Sequence, residues 1–187
     1  MNIKLVAALS GGAALLLALS GCIDDNSKVD GYAKKVCDEV QPQLKKITNA
    51  NESITSTAAD GKPADIKKAD SAAFQEISAA YAAMSDSVEN AGVPPVDGGE
   101  RVQKDAVKEL DATSKAYADL KRAVDKLKTN DQGDFAEGLK GVAEELGKVN
   151  KVGDDAIKKL QSGEIGKSMS TQSGCRRPAS ATPTKGS

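Results

Sequence analysis

The sequence predicts an all-α fold, an antiparallel up-down-up-down four-helix bundle with one disulfide, preceded by a cleaved signal peptide. Three observations carry this. Apolar residues recur at steps of three and four in four separate stretches, the helical period and not the alternation of a strand. Gly, Pro and Asp gather where that period fails, as stop and start signals should. At 187 residues the chain suits one domain, because a second core would leave each half near the lower limit of self-sufficient size.

The first helix carries Val29, Ala33, Val36, Val40, Leu44, Ile47 and Ile54 on one stripe. Ser27, with Asp30 three residues on, is its expected cap. Pro42 is the local conflict: a mid-helix Pro removes a hydrogen bond and crowds the carbonyl four residues back, so a kink or a short break is expected there. Asp60-Gly61-Lys62-Pro63 ends this helix on Gly and opens the next on Pro.

The second helix runs Ile66, Phe74, Ile77, Tyr81, Met84 and Val88, with Asp70 in the one stripe position that is not apolar. Asn90 to Pro95 stops it, and Asp97-Gly98-Gly99-Glu100 offers a capping box for the third helix. That third stripe is Val102, Ala106, Leu110, Thr113, Tyr117, Leu120, Val124 and Leu127. Thr129 to Asp134 makes the next turn. The fourth stripe is Phe135, Leu139, Val142, Leu146, Val149, Ala156 and Leu160, ending at Gly163. Gly138 and Gly141 lie beside it, where close approach to a neighbour would offset their low helix propensity. Short connections favour antiparallel neighbours, and steps of three and four are also those of coiled-coil packing.

The N-terminus has a different character. Lys4 supplies a positive charge, and Leu5 to Leu19 is apolar except for Ser10, Gly11 and Gly12. The run falls short of the roughly 20 residues that span a bilayer, which indicates a secretory signal and not a permanent anchor. At its end, Leu19-Ser20-Gly21-Cys22 resembles the bacterial lipobox, in which two small residues precede an invariant Cys. That resemblance implies a diacylglyceryl group joined to the Cys22 sulfur and cleavage just before it. Cys chemistry fits, because a thiolate is the nucleophile that forms the thioether. The expected organisation is then a lipoprotein signal peptide over 1–21, a polar tether over 22–27, the bundle domain over 28–175 and a disordered tail over 176–187. Ile23 stands where a sorting Asp would retain such a protein at an inner membrane, so retention gains no support.

Three Cys is an odd count for an exported chain. With Cys22 assigned to lipid, Cys37 and Cys175 remain, and an oxidising compartment favours a disulfide between them. The topology permits it: Cys37 lies about 14 Å along helix one from Ser27, and the segment from Gln161 to Cys175 folds back to reach it.

Composition narrows the function. The absence of His removes the commonest general base and the commonest metal ligand, so neither a catalytic nor a metal site is expected. With 26 basic against 27 acidic residues there is no basic field for nucleic acid. The paired carboxylates Asp24-Asp25, Glu144-Glu145 and Asp154-Asp155 are neighbours that point about 100° apart on a helix, which suits solvated faces and not catalysis. No cofactor is expected beyond covalent lipid on Cys22. Partners are expected to be the membrane, through that lipid, and an extracytoplasmic protein. The alternative is a small-molecule module holding an apolar ligand near Phe74, Tyr81, Tyr117 and Phe135, residues that plain core packing also explains.

The lipobox, the Ala-, Lys- and Asp-rich helices and one Cys near each end of the domain together resemble the small secreted lipoproteins of unknown function from high-GC Gram-positive bacteria. The resemblance implies the fold and a lipid-anchored place on the extracytoplasmic face of the cell membrane, and it carries no activity to transfer; a non-enzymatic interaction or envelope protein is expected.

Overall fold

A computed structural model describes residues 21–161 and 163–176. It is all-helical: α1 Gly21–Asp60, α2 Pro63–Ala91, α3 Gly99–Asp125, α4 Gln132–Gln161 and α5 Glu164–Thr171, followed by a 3-10 turn at Ser173–Cys175. Among the described residues there is no strand. The signal peptide expected over 1–21 and the tail expected over 176–187 lie outside the described residues except for Gly21 and Arg176.

Cross-helix bonds fix the directions of the first three helices. Lys35 Nζ donates to the Asn90 carbonyl at 3.0 Å near the start of α1, while Gly61 and Ile66 meet at its other end, so α1 and α2 are antiparallel. Between α2 and α3, Lys67 bonds the Leu127 carbonyl at 2.7 Å and Ser85 bonds the Val107 carbonyl at 3.4 Å, again antiparallel. These two pairings are the most extensive in the fold, and α2 lies between its partners. Helix α4 packs chiefly on α3, while α5 and the 3-10 turn pack on α1.

The stripes read from the sequence are the ones the fold buries. Val29, Ala33, Val36 and Val40 of α1, Phe74, Ile77 and Val88 of α2, Tyr117, Leu120 and Val124 of α3, and Phe135 and Val142 of α4 are all buried. They form two clusters along the helices. One joins Ala50, Ala73, Phe74, Ile77, Tyr117, Leu120, Val124 and Val142. The other joins Val36, Val40 and Val88, with Met84, Leu110 and Met169 packed against it.

As the middle helix, α2 needs two buried faces, and the second is made of small residues. Ser71, Ser78 and Ser85 stand seven residues apart, and each hydroxyl bonds α3: Ser71 to the Asp125 carboxylate at 2.6 Å, Ser78 to the Ser114 carbonyl at 2.8 Å, Ser85 to the Val107 carbonyl. Small side chains let the helix axes approach, and hydroxyls satisfied by the facing backbone remain tolerable at the contact.

The turns follow their glycines. A Cβ at Gly61 would run into the Thr57 carbonyl, and Gly61 N–H bonds that same oxygen at 2.9 Å. Pro63 then opens α2 at its first helical turn. Gly92 caps α2 at φ 85°, and Gly98 caps α3 at φ 70°, both in the region that favours glycine. Asp131 starts α4, its carboxylate accepting the Asp134 N–H at 2.9 Å.

Several expectations change. Helix α1 begins at Gly21, so the tether expected over 22–27 and the cap expected at Ser27 fall inside the helix, and the helical domain starts before residue 28. Asp24 and Asp25, read as tether, lie within α1. The helix also runs unbroken through Pro42. The capping box at Asp97 is not formed; Gly98 is the cap and no side chain bonds there. Among the described residues there are five α-helices where four were expected, because the return segment after Gly163 coils into α5. Gly138 does pack closely, against Leu127 Cδ2, but Gly141 faces open space.

Candidate functional site

The four aromatic positions singled out as ligand-lining or core do not all meet. Phe74 on α2 and Tyr117 on α3 are 3% and 6% exposed, with ring centroids 6.0 Å apart and planes tilted by 53°. Tyr81, one heptad beyond Phe74 on the same helix and half-buried, stacks on Tyr117 at 5.7 Å and 14°. The tyrosine ladder affects the phenol: burial first, and then the Tyr81 hydroxyl, push Tyr117 up to about 12. Phe135, also buried, opens α4 and belongs to neither of the two clusters. Three rings thus pack on one another between α2 and α3, which is core geometry.

An open groove of about 480 Å³ lies elsewhere, between the end of α2 and the start of α3. Glu89, Gln103, Lys104, Val107, Lys108 and Asp111 line it. Gln103 Nε2 is already engaged, donating to the Val88 and Glu89 carbonyls at 3.3 and 3.2 Å. The mixed lining gives no single charge for a ligand to complement.

Cys37 and Cys175 stand at disulfide distance, with Cα atoms 4.8 Å apart and a sequence separation of 138. The geometry that allows this is the return of the chain along α1. Ser168 donates to the Asp30 carboxylate, Ile165 is buried, and Gly174 presses so closely on α1 that a Cβ there would strike the Cys37 carbonyl. Cys37 itself is 0% exposed. On the charged faces Lys34 bonds Asp38 at 2.5 Å and Lys148 bonds Glu145 at 2.6 Å. These are exposed pairs that contribute little.

Asp70 is the unusual polar group. It is 6% exposed, its Oδ1 has no hydrogen-bond partner, and burial pushes its carboxyl above the ordinary value. Its place was legible as the polar residue in the apolar stripe of α2. One residue on, Ser71 engages Asp125, whose carboxyl is held below its usual value by the Lys121 ammonium and then by Ser71. What sequence reading missed was the serine ladder, signalled by its sevenfold spacing, and α5, signalled by Ile165 and Met169 four residues apart.

Cys22 lies in the first turn of α1. Among the described residues no helix is long and apolar enough to cross a membrane, and no group of three or more Cys, Asp or Glu side chains is placed to hold a metal ion. No protein-family model, curated protein or solved structure matches the chain.

Proposed function

We propose that this chain is a bacterial lipoprotein held by diacylglycerol on Cys22 at the extracytoplasmic face of the cell membrane. There it presents α1 to α4, as an up-down-up-down bundle, for non-enzymatic contact with another envelope component. The observation that carries this reading is Leu19-Ser20-Gly21-Cys22 closing the apolar run from Leu5 to Leu19. Two further features support it. A Cys pair at disulfide distance suits an oxidising compartment. The three contacting rings fill the space between α2 and α3, which favours a protein that binds by its surface over one that holds an apolar ligand inside.

Cys22 at the start of α1 gives the anchor a defined mechanical role. Two acyl chains hold a protein durably on a bilayer where one gives marginal binding. The lipid then leads directly into α1, whose buried stripe begins at Val29, so the bundle is held close to the membrane surface.

The test is metabolic labelling with an alkyne-tagged fatty acid in a bacterial host, comparing the wild-type chain with Cys22→Ser. The wild type incorporates label and partitions with membranes, and the variant does neither. A labelled, membrane-bound Cys22→Ser chain would overturn the reading.

A further inference from the structure

The segment after α4 returns along α1, packing on it through a few buried residues and meeting it covalently at the Cys37–Cys175 pair. Helix α5 has eight residues, well below the roughly 12 at which isolated helices become even marginal in water. Its buried residues are Ile165, Gly166 and Ser168, so its apolar contribution is small. Met169 adds a half-buried side chain against the Val36, Val40 and Val88 cluster. The segment hangs between two points. At one end Gly163 joins it to α4 in an extended conformation, and at the other Cys175 meets Cys37. By contrast, the cluster around Phe74, Ile77, Tyr117 and Val124 contains no residue of this segment. The main core therefore has no need of it.

We infer that α5 and the 3-10 turn form a redox-released strap, latched to α1 by the Cys37–Cys175 disulfide and let go when a dithiol reductant opens it. The exposures of the two residues set the order of events. Cys37 is fully buried, whereas Cys175 is half-buried and reachable. A thiolate of the dithiol attacks Cys175 Sγ, the S–S bond breaks, and Cys37 leaves as a thiolate that takes up a proton. The second thiol of the reductant then displaces Cys175 from the mixed disulfide. Two electrons pass from the reductant to the protein, which ends with two thiols while the dithiol becomes a disulfide. Without the latch, the Ser168 to Asp30 hydrogen bond, the side chains of Ile165 and Met169 and the close approach of Gly174 to the Cys37 backbone are what remain to order the strap. These contacts are few against the conformational entropy of ordering a dozen residues. Release uncovers the face of α1 that carries Asp30, Ala33 and Cys37 at positions i, i+3 and i+7.

The test uses the full chain in native buffer, with and without dithiothreitol, read by amide hydrogen exchange and by N-ethylmaleimide labelling mapped to peptides. On reduction, residues 164–175 exchange roughly tenfold faster or more, while 71–85 and 107–124 change by less than about twofold. Cys37 is alkylated along with Cys175. The Cys175→Ser variant shows the same loosened strap with no reductant present. The proposal is overturned if 164–175 stays protected and Cys37 unlabelled after reduction, because packing alone then holds the strap. It is equally overturned if α2 and α3 lose protection too, because the bridge then secures the whole domain.

Discussion

Ser78 and Ser114 exchange hydrogen bonds across the α2–α3 contact: each hydroxyl donates to the other residue's carbonyl, at 2.8 and 2.9 Å, and the two oxygens are 3.3 Å apart. The carbonyls lie within continuous helices, so removing one hydroxyl strands no buried donor. Ser78→Ala is therefore expected to cost about 1 kcal/mol, as is Ser114→Ala. Ser78→Leu forces extra volume between two helices in contact and is expected to cost about 1–3 kcal/mol. Urea unfolding followed by circular dichroism at 222 nm checks the order, and a Leu variant as stable as the Ala variant would show that the helices are not closely packed there.

Asp70 supplies a pH dependence with a defined sign. Burial raises its folded-state value above 3.8, so the folded protein favours the neutral acid. Below the unfolded value both states are protonated and the penalty is absent. It grows as pH rises from there through the raised folded value, and it is fully present above that. Asp70→Leu is expected to be more stable than wild type at pH 7, by about 1–3 kcal/mol, the cost of a buried polar group without a partner. The gain should shrink as pH falls through the raised folded value towards 3.8 and be absent below it. Thermal melts of both proteins from pH 3 to 8 test this, and a constant or reversed difference would contradict it.

Glycines in α4 separate two reasons for low propensity. Gly141 and Gly147 have nothing within 4 Å of a built Cβ, whereas a Cβ at Gly138 meets the end of the Leu127 side chain. Gly141→Ala and Gly147→Ala are expected to stabilise by up to about 1 kcal/mol each. Gly138→Ala should gain less or lose, since Leu127 must move. Equal gains at Gly138 and Gly141 in thermal melts would contradict the packing.

At Gly174 there is no side chain to give way. The atoms a Cβ would meet are the Cys37 carbonyl, its carbon at 2.7 Å, and the Asp38 nitrogen at 3.1 Å. Gly174→Val is expected to loosen the 3-10 turn from α1 and slow formation of the Cys37–Cys175 bridge, measured as free thiols during oxidative refolding. A bridge forming at the wild-type rate would show that this close approach is dispensable.

These cases also show how far the sequence reaches. Periodicity located the buried faces of Val29, Phe74, Leu120 and Val142, because burial of one stripe is a local property of a helix. Cysteine parity identified Cys37 and Cys175 as partners, and the helix lengths made their approach possible. The second face of α2 stayed hidden because Ser71, Ser78 and Ser85 carry no hydrophobic signal; their burial follows from α2 lying between two neighbours. The aromatic positions were visible, but whether Phe135 joins Phe74, Tyr81 and Tyr117 depends on where α4 crosses α3, which no local pattern encodes. The tether was hard to read for a related reason: Asp24 and Asp25 look like a solvated linker, yet residues 22–27 are helical.

The central claim, a lipid on Cys22, is tested most directly by the intact mass of the mature chain extracted from bacterial membranes. The account predicts a polypeptide beginning at Cys22, heavier than its sequence by a thioether-linked diacylglyceryl group that fragmentation places on that residue. A chain starting elsewhere, or one starting at Cys22 with an unmodified thiol, would contradict it.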